Sequence, residues 1–183
     1  MKTLKNTSKA AQELASAIMQ SGLISVWDLD GVLLDASHRQ AVFSEDHHTL
    51  GLCTAEQIGT LNLEAYRALS TPENIAQDKS MALIEAIHIL NANNVPYYVC
   101  TARVLCRSTK NLLKARGINP VWIMARAGEH DRRRDDHLKV TNLQARFSAQ
   151  ALRSMVLIDD NKRNLTAVQT LGLKAVHVPF HAH

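Results

Sequence analysis

Aromatic residues are scarce: eight Trp, Tyr and Phe in 183 residues, or 4%. Proteins that grip single-stranded nucleic acid stack bases on aromatic rings, so a broad stacking platform is excluded. Cysteine is rare too. Cys53, Cys100 and Cys106 are an odd number that fits no disulfide framework, and a reducing, cytoplasmic setting is the expectation. Their spacing does not suit a zinc site. No run of 18 apolar residues occurs, which excludes a membrane-spanning helix. The opening stretch MKTLKNTSKAAQELASAIMQSG lacks a continuous apolar core and a small-residue cleavage site, so no secretory leader is expected. No Gly/Ser linker, repeat or low-complexity tract divides the chain. No GxxxxGKS or GxxxxGKT is found, which excludes phosphorylation from ATP by a P-loop.

What is present is a globular composition, 46% hydrophobic and 21% charged. A chain of this length buries roughly 70% of its unfolded surface, so it needs no staple. One domain over residues 1–183 is expected. The formal net charge is +4, unevenly placed. Residues 101–163 hold 14 Lys and Arg against 6 Asp and Glu, and the remainder holds 7 against 11. A basic second half suggests an anionic partner, although solvated helix faces would give the same count. Nine scattered histidines, His177, His181 and His183 among them, read as surface residues.

Hydrophobic periodicity predicts helices over 7–20, 78–93, 105–116, 135–150 and 162–171. Gly22, Gly117 and Gly172 stand where three of them should stop. Short apolar runs predict strands at 23–27, 95–100, 121–125, 155–158 and 174–178. This alternation argues for an α/β fold: a five-stranded parallel sheet between two helical layers. Residues 33–77 form an insert with Leu61, Ala65 and Leu69 four apart, too small for its own core. A partial helical lid on the main domain is expected there.

Ligands of such sheets bind beyond the carboxyl ends of the strands. Four of those ends carry Asp28-Leu29-Asp30-Gly31, Thr101-Ala102-Arg103, an Arg-rich loop leading to Lys139, and Asp159-Asp160. Converging carboxylates repel one another and need a cation, and oxygen-only ligands favour Mg²⁺. Mg²⁺, a Lys, a Thr and an Arg together suit a phosphate group. In Asp28-x-Asp30 one carboxylate can attack phosphorus while the other moves the proton. Each residue also has a structural role open to it. Thr101 can cap a helix, Asp159-Asp160 can cap the next one, Lys139 can pair with Asp135, and the Arg39 stem can cover apolar surface.

VWDLDGVLLD, Thr101 after YYVC, Lys139 and IDDNKRN resemble, in order, the four motifs of the haloacid dehalogenase (HAD) superfamily of phosphotransferases. A narrower resemblance is to the 3′-phosphatase domain of bacteriophage-type polynucleotide kinases. It rests on Arg39 eleven residues after Asp28, on Arg103 two after Thr101, and on DRRRDDHLK, which is similar to that family's DTRKDDVVK. The resemblance implies a three-layer HAD-like fold and a Mg²⁺-dependent phosphomonoesterase. It implies Asp28 as nucleophile and Asp30 as acid and base. Thr101 and Lys139 would bind phosphoryl oxygens, with Arg39 and Arg103 on the phosphate or the substrate near it. Mg²⁺ would sit on Asp28, the Asp30 carbonyl and Asp160. Asp135, Asp159 and Asn164 would orient their neighbours, with Asp159 and Asp160 free to exchange roles. The expected substrate is a 3′-phosphate on a nucleic-acid or nucleotide end, with no membrane partner. The alternatives are a phosphatase of free 5′-nucleotides or another small ester, a receiver-like phospho-acceptor, and a non-catalytic nucleic-acid-binding protein.

Overall fold

The computed structural model describes residues 1–40 and 66–180. Six parallel strands form the central sheet: β1 (Lys2–Thr3), β2 (Ile24–Trp27), β5 (Tyr97–Val104), β6 (Trp122–Arg126), β7 (Met155–Asp159) and β8 (Lys174–His177), in the order β1-β8-β7-β2-β5-β6. The sixth strand, β1, is two residues long and pairs with β8. So short a strand leaves no periodic trace in a sequence.

Side chains alternate across the sheet, as the two-residue period of a strand requires. Trp27, Val99, Tyr97 and Ile158 join one apolar core with α1 (Ser8–Ser21), α4 (Ile84–Ala92) and α5 (Arg107–Ala115). Val26, Cys100, Met155 and Leu157 join the other with α6 (Asp135–Arg146), α7 (Ala149–Arg153) and α8 (Lys162–Gln169). Sheet and two helical layers thus form the expected three-layer sandwich. Among the described residues, no helix is long and apolar enough to cross a membrane.

Helix ends follow local chemistry. Thr7 caps α1 by accepting from the Ala10 N–H, and Gly22 closes it at φ +64°. The predicted helix 135–150 is two helices, because Ser148 caps a new one at Ala149. The predicted helix 78–93 begins later, since Lys79–Ser80 forms β4, an antiparallel pair with β3 (Leu34–Asp35). The insert supplies α2 (Ser37–Gln40) and α3 (Pro72–Ala76). The expected helical spacing at Leu61 and Ala65, and Cys53, lie outside the described residues.

The chain runs outward from β2 through β5 to β6, then returns to the other side of β2 as β7 and β8. This reversal opens a crevice at the carboxyl end of β2, the usual ligand position in open parallel sheets.

Candidate active site

Asp28 follows β2, and its N–H donates to the Ile158 carbonyl at 2.9 Å. The chain then folds tightly. Leu33 and Leu34 N–H both donate to the Leu29 carbonyl, and Gly31 N–H to that of Leu34. Gly31 has φ +75°, a conformation side chains rarely adopt. A Cβ there would also collide with Asp160 Oδ2 and stand 2.7 Å from its Cγ. The glycine of DLDG therefore lets one acidic strand end approach the other. Gly31→Ala is expected to displace the Asp160 carboxylate, lowering kcat/KM by about 100-fold and weakening cation affinity in a Mg²⁺ titration.

Lys139 reaches this crevice from the buried face of α6. Its Nζ lies 2.5 Å from Asp159 Oδ2 and 3.0 Å from Asp28 Oδ2. Burial alone would lower its pKa, but Asp159 and Asp28 more than compensate and hold the ammonium above its ordinary range. Asp159 is wholly buried and spends both oxygens. Besides Lys139, it accepts from the Asn161 N–H at 2.8 Å and from the Asn164 side-chain amide at 3.2 and 3.3 Å. Asn164 thus orients Asp159. Asp160 faces a cavity of about 260 Å³ that Asp28, Asp30, Arg103 and Lys139 also line. Burial and Asp159 push the Asp160 carboxyl up to about 7. Burial raises Asp28 as well, against Lys139 and with the other three carboxylates. One oxygen each of Asp28, Asp159 and Asp160 can be found within 4.8 Å of the others. With Asp159 spent on Lys139, the Asp28 and Asp160 carboxylates are hard oxygen donors that fit a divalent cation of the Mg²⁺ type.

Arg103 closes the opposite wall. Its Nε donates to Asp30 Oδ2 at 2.8 Å and its Nη2 to Asp30 Oδ1. Burial would lower the Arg103 pKa, and Asp30 outweighs this, so the guanidinium stays charged. Thr101 is buried and its Oγ1 accepts from the Arg103 N–H at 3.2 Å. It lies within β5, not at a helix start, and Cys106 caps α5 instead.

Two of the expected residues have partners of their own. Arg39 does not line the cavity around Asp28. It is buried on α2, holds Asp78, and lines an adjoining cavity of about 110 Å³ that shares Tyr66, Ala102, Arg103 and Arg126 with the first. Asp135 lines the cavity with Lys139 but forms no ion pair with it. It accepts from Arg126 Nη2 at 2.8 Å, because Lys139 points inward while Asp135 is half exposed.

Three side chains carry the site without a motif to mark them. Asp78 is wholly buried between Arg39 and Arg103. Arg126 pins the arginine loop through the Asp131 and Arg133 carbonyls, at 2.8 and 2.7 Å. His177, expected on the surface, is buried on β8, and its Nε2 donates to the Asp160 carbonyl at 3.0 Å. In the loop itself, Arg133 pairs with Asp131 at 2.6 Å and Arg134 with Asp136 at 2.7 Å. Much of the local positive charge is thus balanced within the chain.

The chain has a fold of the HAD type, with the acidic crevice and its buried lysine at the switch point, and the family it matches is one of phosphatases. The chain belongs to the family described as Bacteriophage T5 5′-deoxynucleotidase, which matches residues 17–180. Solved structures agree in fold. A HAD-like family hydrolase from Streptococcus pneumoniae is 17% identical, with a TM-score of 0.60 over 87% of this chain and 85% of that one. A protein from Clostridium acetobutylicum described as a predicted phosphatase is 13% identical, with a TM-score of 0.62 over 85% and 84%. A HAD family hydrolase from Deinococcus radiodurans, solved with bound phosphate and sodium, is 17% identical, with a TM-score of 0.51 over 87% and 82%. No curated protein matches the chain in sequence.

Proposed function

We propose that this protein hydrolyses free deoxynucleoside 5′-monophosphates. The observation that carries this reading is the pair of adjoining cavities, one acidic and next to Lys139, the other lined by Tyr66, Ser70, Ile75 and Val104. Their volumes, about 260 and 110 Å³, together reach only the lower end of the roughly 300–1,000 Å³ of small-molecule sites. That suits one nucleotide, phosphate in the first and nucleoside in the second. The family match supports the same substrate. The internally paired arginines Arg133 and Arg134 weigh against a nucleic-acid track.

The residues divide the work as follows. An Asp28 oxygen attacks phosphorus, and the bond to the nucleoside oxygen breaks as Asp30 donates a proton to it. Asp30 then takes a proton from water, which attacks phosphorus, releasing phosphate and freeing Asp28. The Lys139 ammonium neutralises charge on the phosphoryl oxygens, and Thr101 and Arg103 flank them. Asp28, Asp160 and the Asp30 carbonyl would hold Mg²⁺, with Asp159 turned to Lys139. Bound there, the cation would neutralise phosphate charge and the mutual repulsion of the carboxylates.

Initial rates on a 5′-deoxymononucleotide, a 3′-deoxymononucleotide and a 3′-phosphorylated oligonucleotide test the substrate. The 5′-mononucleotide is expected to lead in kcat/KM by about tenfold or more. Preference for either 3′-phosphate would instead favour end-processing and overturn the proposal.

A further inference from the structure

Asp78 sits between α3 and β4, distant in sequence from every motif of the site. A wholly buried carboxylate is costly unless paired, and this one has two guanidiniums. Arg39 grips both oxygens, Nε to Oδ1 at 3.0 Å and Nη2 to Oδ2 at 2.6 Å. Arg103 Nη1 stands 2.7 Å from Oδ2, an ionic contact set at too poor an angle for a hydrogen bond. The Asp78 carbonyl accepts from Arg116 Nη2 at 3.1 Å, which ties its backbone to the main domain.

A guanidinium is planar and rigid, so holding one corner aims the opposite edge. With Nη1 against Asp78, the Nε and Nη2 edge of Arg103 meets both oxygens of Asp30. Arg39 extends the chain of contacts to Tyr66 Oη and Ser70 Oγ, both at 3.1 Å, where the insert returns to the domain. A continuous line of polar contacts therefore runs from residues 66–70 through Arg39, Asp78 and Arg103 to Asp30.

We propose that Asp78 is a positioning residue that, acting through Arg103, fixes the Asp30 carboxyl on the leaving-group side of the phosphate. This rests on the reading of Asp30 as the acid for the departing nucleoside. The consequence is selective. A nucleoside oxygen is a poor leaving group and needs its proton, whereas p-nitrophenolate departs without one. The ratio kcat/KM covers steps up to the first irreversible phosphoryl transfer, so it isolates this half of the reaction.

The test compares Asp78→Asn with the parent on a 5′-deoxymononucleotide and on p-nitrophenyl phosphate, with thermal melting recorded for each protein. The expected loss in kcat/KM is about 100-fold on the nucleotide and less than about fivefold on the aryl ester. Equal losses on both substrates would mark a merely structural role and overturn the proposal, as would no loss on either. If Asp78→Asn does not fold, Asp78→Glu reads the same ratio with the charge kept and the geometry shifted. Asp30→Asn is run beside them. If it keeps nucleotide turnover, the acid assignment fails and this inference with it. If it is inactive while the Asp78 variants lose both substrates equally, only the inference fails.

Discussion

Asp28→Asn is expected to lower kcat by about 10⁴-fold or more, since an amide cannot form the covalent bond to phosphorus. The same substitution should not weaken the fold. Asp28 is buried, and its ionised form is disfavoured there by burial and by Asp159, Asp160 and Asp30, with only Lys139 in its favour. A carboxyl whose pKa rises on folding opposes folding at every pH above its unfolded value, and at neutral pH the asparagine escapes that cost. The cation-free melting temperature at neutral pH should therefore not fall below that of the parent. Circular dichroism melts in EDTA beside a phosphate-release assay read both effects. A variant that is inactive because it is unfolded would contradict the account.

Lys139→Met should act in the opposite sense on stability. The ammonium is wholly buried against Asp28 and Asp159, and its loss leaves crowded buried carboxylates without a cation. Breaking a buried ion pair from one side costs about 3–5 kcal/mol, so the melting temperature should fall by roughly 10 °C or more. Mg²⁺ should restore part of it, because an ion that binds only the folded state stabilises by mass action. Activity should fall by about 10²–10³-fold even when saturated with Mg²⁺, as for the loss of one preorganised charge at the reacting group. Lys139→Arg should rescue little, for the slot admits an ammonium and a planar fork needs more room. A melting temperature unchanged in EDTA would contradict the electrostatic role given to Lys139.

The residues legible in the sequence stand at strand ends. Asp28, Asp30, Thr101 and Asp159-Asp160 each follow an apolar run, and the topology of a parallel sheet gathers such ends at one edge. Lys139 could be named, but not its partners. The i,i+4 spacing suggested Asp135, whereas packing turned Lys139 inward to Asp159 and left Asp135 to Arg126. Asp78 was not legible, because an isolated Asp in DKS has no periodicity and its partners lie 39 and 25 residues away at Arg39 and Arg103. His177 was hidden among scattered histidines, and only the pairing of β8 with β7 carries it under the Asp160 carbonyl. Local pattern marks the chemistry at strand ends, while the buried ion pairs that orient it depend on contacts between distant elements.

The charge asymmetry likewise changes meaning at the level of packing. The basic excess of residues 101–163 suggested an anionic partner, yet Arg103, Arg133 and Arg134 each face a carboxylate of the same chain.

The central claim is that hydrolysis passes through Asp28. Its most direct test is to quench the enzyme with borohydride during turnover of a 5′-deoxymononucleotide and map the peptides by mass spectrometry. An aspartyl-phosphate is reduced to homoserine, so the account predicts homoserine at position 28, dependent on substrate and absent after Asp28→Asn. Full turnover with position 28 unreduced, or reduction at another carboxylate, would contradict it.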